Sequence, residues 1–321
     1  MKKYLVTGGA GFIGSHLTEF LLKKGQFVRV LDNFSSGKKE NLFFAEKLGK
    51  DRFELLEGDI CDKKVSEAAC RGMDYVLHQA ALRSVPKSLE DPENYNKVNI
   101  GGTLNLLQAA AKHKIKRFVF ASSSSIYGEA KKFPQKETDL PMLISPYALT
   151  KLTGEYYGRI FACHFNLPTV CLRYFNVFGP RQSLDDEYAV VVPKFIHSLL
   201  QNQPPPIFGT GKQSRDFTYI ENVVLANYLA AATPGLQHEI LNVANGECQS
   251  VLHLAEEINR ILKKKIKPQF LPLRAGDVFK THADISKIRQ KLKFQPSVSF
   301  EEGLKLTVQS FGVITRSAAT K

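Results

Sequence analysis

A glycine-rich turn between a short strand and a helix constrains this chain more than any other feature. Lys3 to Thr7 is predicted to be a buried strand, and it leads directly into Gly8-Gly9-Ala10-Gly11-Phe12-Ile13-Gly14. Helical periodicity follows from Ser15 to Lys24. Glycines let the backbone approach a pyrophosphate closely, and the N–H groups at a helix start attract the anion. The segment therefore predicts a dinucleotide site, although its spacing is Gly-x-x-Gly-x-x-Gly and not the commoner Gly-x-Gly-x-x-Gly.

A second predicted strand, Phe27 to Leu31, ends at Asp32. A carboxylate in this place would accept hydrogen bonds from an adenosine ribose and would disfavour a 2′-phosphate, so NAD is preferred to NADP. An aspartate at a strand end is otherwise a common turn former or helix cap. The glycine turn ahead of it favours the dinucleotide interpretation.

Strands and helices alternate through the first half of the chain. Further predicted strands are Phe53 to Glu57, Asp74 to Leu77, Arg117 to Ala121 and Thr169 to Tyr174. This alternation predicts an α/β fold with a Rossmann-type doubly wound parallel sheet, whose ligands bind beyond the carboxyl ends of the strands. Prolines and glycines interrupt shorter elements beyond Pro180, which predicts a smaller C-terminal substrate-binding lobe. We expect a dinucleotide-binding domain at 1–176 with strands returning from about 216–246, a lobe at 177–312 and a flexible tail at 313–321.

Charge and cysteine content exclude several classes of protein. The net charge of +13 comes from basic residues spread along the chain, which favours an anionic small molecule over nucleic acid as the partner. The five cysteines are scattered without ligand spacing, so neither a disulfide framework nor a metal site is predicted. Apolar runs are shorter than a membrane span and no signal-peptide layout is present, so we expect a cytoplasmic protein without a membrane partner.

The segment SPYALTK, Ser145 to Lys151, places a phenol and an ammonium four positions apart at the start of a predicted helix. Such positions lie on one helix face. A free tyrosine keeps its proton to about pH 10, so it acts as a base near neutrality only if a cation favours the phenolate. Lys151 is placed to be that cation for Tyr147. The alternative is a solvated lysine beside a half-buried tyrosine.

Several polar residues have both a functional and a structural interpretation. Ser122 to Ser125 follow a central strand, as part of either a ligand site or a plain polar loop. Asn99, at the start of a helix predicted to reach about His113, is either a site residue or an N-cap. Arg215 and Arg274 are either bidentate phosphate ligands or surface residues.

With TGGAGFIG, Asp32, the serine run, YALTK and RYFNVFGPRQ in this order, the chain resembles the extended branch of the short-chain dehydrogenase/reductases. Within that branch it is most similar to UDP-hexose 4-epimerases, particularly those that accept N-acetylated sugars. The resemblance implies that a tightly held NAD takes hydride from sugar C4 and returns it to the opposite face of a 4-keto intermediate. It also implies a homodimer with a four-helix interface, formed by about Asn94 to His113 and Pro146 to His164.

The resemblance assigns roles to individual residues. Tyr147 would be the base, with Lys151 holding the nicotinamide ribose and Ser123 hydrogen-bonding the sugar 4-hydroxyl. The implied cofactor-binding residues are Gly8, Gly11, Phe12, Ile13, Gly14, Asp32, Asn33, Ser35, Ser36, Gly37, Asp59, Ile60, Gln79, Ala80, Ala81, Asn99, Ser122, Tyr147, Lys151 and Phe175. The implied substrate-binding residues are Arg83, Ser84, Ser123, Ser124, Tyr147, Asn176, Val190, Val192, Lys194, Ile207, Phe208, Arg215, Arg274, Asp277 and Thr281.

The resemblance also bears on the substrate. Thr281 stands where glucose-restricted epimerases carry a bulky tyrosine, which favours UDP-GlcNAc and UDP-GalNAc, with UDP-Glc and UDP-Gal as further substrates. Arg83 and Val190 are larger than expected, and Arg83 suits a carboxylate, so UDP-glucuronate stays an alternative. Related dehydratases and decarboxylases carry carboxyl groups where this chain has Ser124 and Ser125, so reduction of the ketone, and hence epimerisation, is favoured. A non-catalytic NAD-binding scaffold is the alternative of a different class.

Overall fold

The computed structural model describes residues 1–184, 191–273 and 278–318. In chain order its strands are β1 (Lys3–Thr7), β2 (Phe27–Asp32), β3 (Phe53–Glu57), β4 (Tyr75–His78), β5 (Arg117–Ser123), β6 (Thr169–Tyr174), β7 (Val177–Phe178), β8 (Pro206–Phe208), β9 (Ser214–Arg215), β10 (Thr218–Tyr219), β11 (His238–Val243), β12 (Gln249–Ser250) and β13 (Gln269–Leu271). Its α-helices are α1 (Phe12–Lys23), α2 (Phe43–Gly49), α3 (Lys63–Cys70), α4 (Val85–Glu90), α5 (Pro92–Tyr95), α6 (Thr103–Lys112), α7 (Pro146–His164), α8 (Val191–Leu200), α9 (Ile220–Ala232), α10 (Val251–Leu262), α11 (Ser286–Leu292) and α12 (Phe300–Ala318).

Seven strands form one parallel sheet in the order β11-β6-β5-β4-β1-β2-β3. This is the Rossmann order, so the predicted doubly wound α/β fold is confirmed. The strands β1, β3 and β6 have the predicted bounds. Strand β5 runs two residues further than predicted, and Ser122 and Ser123 pair with Arg173 and Tyr174 of β6. The first two serines of the run therefore belong to the sheet and not to a loop.

Helices cover both faces of the sheet, which explains why its central strands are apolar along their whole length. All four residues of β4 and all six of β6 are buried. On one face, Leu17 and Leu21 of α1 and Val223 of α9 belong to the core. On the other face, Leu106 of α6 and Phe161 of α7 do so. The site is thus built on a rigid central layer.

Two helix starts differ from the predictions. Helix α1 begins at Phe12 and not at Ser15, because the backbone enters the helix directly after its N-cap, Gly11. The helix predicted to start near Asn99 begins with α5 and continues through a π-helical segment, Asn96–Gly102, into α6. Asn99 lies in the middle of that segment, so the interpretation of Asn99 as an N-cap is wrong.

Short elements make up much of the C-terminal half. Strand β8 pairs with β13, and β9 pairs with β12, while β11 returns to the edge of the main sheet beside β6. Helix α12 runs to Ala318, past Val313 where we expected the tail to begin, and no proline interrupts this stretch. None of the helices in the described ranges is long and apolar enough to cross a membrane. The domain boundaries and the cytoplasmic location stay predictions.

Candidate active site

The glycine turn is closed so tightly that side chains are excluded from it. Gly8 has a φ of 66°, and a Cβ there would lie 2.8 Å from the backbone nitrogen of Ala80. A Cβ on Gly14 would lie 2.0 Å from the carbonyl oxygen of Gly8, and the Gly11 N–H donates to that same oxygen at 3.1 Å. The turn therefore presents bare backbone at the start of α1, as close approach of a pyrophosphate requires.

A cavity of about 610 Å³ opens beyond the carboxyl ends of the strands, beside this turn. Its lining brings together most of the predicted cofactor residues: Gly8, Gly11, Phe12, Ile13, Gly14, Asp32, Asn33, Ser35, Ser36, Gly37, Asp59, Ile60, Gln79, Ala80, Ala81, Ser122, Tyr147 and Lys151. Arg83, predicted to bind substrate, also lines it. The predicted cofactor residues Asn99 and Phe175 lie outside its lining.

Asp32 is buried at the end of β2 and shapes one end of the cavity. Its Oδ2 accepts from the Ala10 N–H at 2.9 Å and its Oδ1 from the Phe34 N–H at 2.8 Å. Burial raises the pKa of Asp32, and these two hydrogen bonds oppose the rise. Asn41, which the sequence did not single out, donates from Nδ2 to the carbonyl oxygen of Ala10 at 2.9 Å. Nothing in the local pattern distinguishes Asn41 from other polar residues of its segment.

Helix α7 carries the tyrosine and the lysine. Ser145 caps it, since its hydroxyl accepts from the Ala148 N–H at 3.2 Å, and Pro146 occupies the first turn. One turn separates Tyr147 from Lys151, as predicted. The Lys151 Nζ donates to the Ala121 carbonyl at 2.8 Å and lies 5.8 Å from the centre of the Tyr147 ring. Burial lowers the pKa of Lys151 to about 8.

Ser123 and Tyr147 meet between the end of β5 and the start of α7. Burial raises the pKa of Tyr147, while a hydrogen bond from Ser123 and the charge of Arg83 lower it. The Ser123 hydroxyl also accepts from the Ser125 N–H at 3.1 Å, within a 3-10 turn that begins at Ser124. The three residues predicted to be catalytic are thus brought together, and their roles stay predictions.

A buried ion pair behind the site was missed at the sequence level. Glu155 accepts from the Arg173 Nε and Nη2 at 2.8 Å each, and from the Ser122 hydroxyl at 2.6 Å. Burial lowers the pKa of Arg173, but the bonds and charge of Glu155 outweigh this and hold it above its ordinary value. The Arg173 guanidinium lies 4.9 Å from the centre of the Tyr127 ring. The available signal was the spacing of four residues from Lys151 to Glu155, which puts both on one helix face.

Asn99 supports the site from behind its lining. Its Oδ1 accepts from the Leu82 N–H at 2.8 Å, and its Nδ2 donates to the Leu82 carbonyl at 2.9 Å and to the Thr150 hydroxyl at 3.1 Å. It therefore joins the loop after β4 to helix α7. Phe175 is fully buried, with its ring 5.8 Å from that of Tyr127.

Three of the predicted substrate residues lie close together at the edge of the lobe. Asn176 has a φ of 30°, a conformation that side chains rarely adopt, and its Oδ1 accepts from the Thr281 hydroxyl at 2.9 Å. The Arg215 Nη1 donates to the carbonyls of Ser214 at 2.9 Å and Phe279 at 3.2 Å. Since Thr281 also donates its N–H to the Ser214 carbonyl at 3.1 Å, these residues form one cluster.

The other predicted substrate residues are more dispersed. The Lys194 Nζ lies 5.9 Å from the centre of the Phe208 ring, and the side chains of Val192 and Ile207 are buried in the core. Ser84 caps α4 through a hydrogen bond from the Lys87 N–H at 3.4 Å. Val190, Arg274 and Asp277 lie outside the described residues.

The residues present fit a dinucleotide. The glycine turn leaves the backbone accessible where an added Cβ would collide, and a buried carboxylate stands at the end of the second strand. Across the described ranges, no group of three His, Cys, Asp or Glu side chains is placed to bind a metal ion.

Residues 4–244 match the sequence profile of the NAD dependent epimerase/dehydratase family. The chain belongs to this family. The UDP-N-acetylglucosamine 4-epimerase of Methanobrevibacter ruminantium has a similar structure, with 40% identity, a TM-score of 0.92, and coverage of 98% of this chain and 99% of that one. The UDP-glucose 4-epimerase of Thermus thermophilus in complex with NAD has 37% identity and a TM-score of 0.87, with coverage of 97% and 99%. The UDP-glucuronate 4-epimerase of Thermodesulfobacterium geofontis is 37% identical over 316 residues, 96% of this chain and 95% of that protein.

These similarities confirm the resemblance drawn from the motifs. They also confirm that the cofactor is NAD. The enzyme class is confirmed as well: the protein is an NAD-dependent nucleotide-sugar 4-epimerase, and such enzymes are isomerases. The relatives differ in the sugar that their names give, so the sugar used by this chain belongs to the proposal below.

Proposed function

We propose that the protein inverts C4 of a UDP-hexose through a transient 4-keto intermediate. The observation that carries the proposal is that Tyr147 and Lys151, one helix turn apart, line the cavity that contains the glycine turn, with Ser123 near enough to lower the pKa of the phenol. A phenol and a hydroxyl placed in this way can hold a sugar hydroxyl and move its proton. The rigid sheet and α7 hold both groups in place.

Each side chain has a defined task in this proposal. Tyr147 takes the proton from the sugar 4-hydroxyl, and Ser123 holds that oxygen while its charge changes. Lys151 supplies positive charge beneath the phenol. Bound NAD supplies the hydride acceptor and donor for C4. Because Ser124 and Ser125 carry no carboxyl group to drive elimination or decarboxylation, reduction back to the alcohol is the favoured outcome.

We propose UDP-GlcNAc and UDP-GalNAc as the preferred pair, with UDP-Glc and UDP-Gal also accepted. Thr281 supports this preference because it is small, and its hydroxyl is already engaged by Asn176 at 2.9 Å, so it does not extend into a neighbouring sugar. UDP-glucuronate is a second candidate, favoured by Arg83, which lines the same cavity as Tyr147. An arginine is suited to bind a carboxylate bidentately.

Separate incubations with UDP-Glc, UDP-GlcNAc and UDP-GlcA, followed by chromatographic separation of the products, test the proposal. We expect the C4 epimer of the preferred sugar and no net loss of carbon dioxide or water. The Tyr147→Phe variant should bind NAD normally but lose interconversion by several orders of magnitude, because the base is removed. The absence of any C4 epimer with all three sugars, or full activity of Tyr147→Phe, would refute it.

We also propose that the protein forms a homodimer through α7 and the α5–α6 helix. Helix α7 exposes Leu149, Tyr156 and Ile160, with relative exposures of 51%, 59% and 45%. Their spacing places them on one face, and a continuous apolar stripe on a helix is typical of an interface. Analytical ultracentrifugation should give twice the 35.9 kDa chain mass, and Ile160→Asp should shift the protein towards a monomer. A monomeric parent protein would contradict this assignment.

A further inference from the structure

The loop between β4 and α4 is held rigidly beside the active site. Asn99 binds both the N–H and the carbonyl of Leu82, at 2.8 and 2.9 Å. Two residues later, Ser84 has a φ of 92°, a conformation that a side chain makes costly. Backbone in such a conformation persists only when its surroundings fix it. The residue between them, Arg83, is therefore in a determined position.

Tyr95 joins this loop to the catalytic helix. Its hydroxyl donates to the Arg83 carbonyl, and its buried ring contacts the Tyr147 ring edge-on, with the ring centres 6.5 Å apart. Arg83 lines the same cavity as Tyr147 and Lys151. Arg83 thus shares the cavity wall with the phenol, and the residue that holds its backbone also contacts the phenol ring.

The other groups around Tyr147 leave a role for a second cation. Ser123 of β5 favours the ionised phenol as a hydrogen-bond donor, and Tyr95 of α5 contacts the Tyr147 ring edge-on. On α7 itself, Lys151 donates to the Ala121 carbonyl at 2.8 Å, and burial lowers the pKa of its amine to about 8. Beneath Lys151, burial lowers the pKa of His78 to about 3, so this imidazole is neutral. Arg83 is the cation whose charge lowers the pKa of Tyr147 in the described structure.

We propose that Arg83 stabilises the phenolate form of Tyr147, and so acts as a positioning residue that prepares the base for proton transfer. The inference rests on the proposed function, in which Tyr147 is that base. In this proposal, Lys151 and Arg83 together provide the positive charge that favours the Tyr147 phenolate, which the sequence predicted for Lys151 alone. The Lys151 amine is buried 5.8 Å from the centre of the Tyr147 ring, and Arg83 is an exposed residue of the same cavity wall.

The pH dependence of turnover tests this role. The acid limb of kcat reports ionisation of the base in the enzyme–substrate complex. Removing one positive charge from the cavity wall should move that limb of the Arg83→Gln variant to higher pH by about half a unit to one unit. Arg83→Lys keeps the charge and should move it less. The matched control is Lys87→Gln, which removes one positive charge four residues after Arg83, on helix α4 and outside the cavity lining.

A second readout does not depend on turnover. The ultraviolet difference spectrum of tyrosinate, with the spectrum of Tyr147→Phe subtracted, gives the ionisation of Tyr147 in the NAD-loaded protein. Arg83→Gln should titrate at higher pH than the parent protein, and Lys87→Gln at the same pH. Because the Arg83 side chain is exposed, the variants should keep the far-ultraviolet circular dichroism of the parent. An unchanged Tyr147 titration in Arg83→Gln would overturn the inference, whereas a parent protein that interconverts no UDP-sugar would overturn the proposed function instead.

Discussion

Removing the charge of Glu155 should destabilise the protein strongly, although Glu155 does not line the cavity. The Glu155 and Arg173 side chains are 1% and 3% exposed, and two hydrogen bonds of 2.8 Å join them. In Glu155→Gln the arginine stays buried without a counter-charge, which typically costs about 3–5 kcal/mol of unfolding free energy. The Ser122 hydroxyl keeps an acceptor only if the new amide oxygen faces it, so this bond adds at most about 1 kcal/mol to the loss.

Urea denaturation of Glu155→Gln, Arg173→Met and the double variant Glu155→Gln/Arg173→Met measures this cost and its origin. The double variant leaves no unpaired charge, so its loss should be smaller than the sum of the single losses, with a coupling of about 1–3 kcal/mol. The control is Glu57→Gln, which breaks a 3.3 Å pair with Lys39 whose two side chains are each 63% exposed, and it should cost less than about 1 kcal/mol. If Glu155→Gln cost no more than this control, or if the two sites were additive, the ion pair would not have the assigned role.

Three further predictions concern the cavity and the Asn176–Thr281 cluster. Gly14→Ala should weaken NAD binding at least about tenfold, as measured by calorimetry, because the new Cβ would lie 2.0 Å from the Gly8 carbonyl oxygen. The control is Gly101→Ala, whose new Cβ would have no atom within 4 Å, so this variant should bind NAD normally. Without cofactor, Lys151→Met should have a free energy of unfolding up to about 3 kcal/mol higher than that of the parent protein at pH 7, because burial disfavours the charged amine. This difference in unfolding free energy should shrink as the pH rises from about 8 towards 10.5. Over that range the Lys151 amine has lost its proton in the folded protein but still keeps it in the unfolded chain. Thr281→Tyr should remove turnover of UDP-GlcNAc while that of UDP-Glc persists, as product analysis of the two incubations would show.

The features that were predicted from the sequence depend on residues that are close together in the chain. Strand β1, the helix start at Ser145 and the pairing of Tyr147 with Lys151 each follow from neighbouring residues, so periodicity and capping reveal them. The glycine turn is also local, apart from the contact of Gly8 with Ala80.

The features that were missed join residues far apart in the chain. The spacing of four residues puts Glu155 on the same face of α7 as Lys151, but its burial depends on Arg173 of the next strand, which no local pattern reveals. The π-helical segment around Asn99 likewise depends on contacts with Leu82 and Thr150, and not on the propensity of its own residues. A motif therefore names the candidate site residues that the fold brings to one cavity, whereas the supporting residues are recognised only from the fold.

In the proposed mechanism, Lys151 and Arg83 place positive charge where it serves the reaction and not where it stabilises the resting protein. Glu155 is engaged by Arg173, so it does not neutralise Lys151, whose hydrogen bond among the described residues goes to a carbonyl. A buried amine without a counter-charge destabilises the resting protein, and the lowered pKa of Lys151 expresses that cost. Negative charge that develops on Tyr147 as its proton moves would offset the cost. Positive charge fixed in advance around the phenol thus favours the reacting state over the resting one, which is how electrostatic preorganisation accelerates proton transfer.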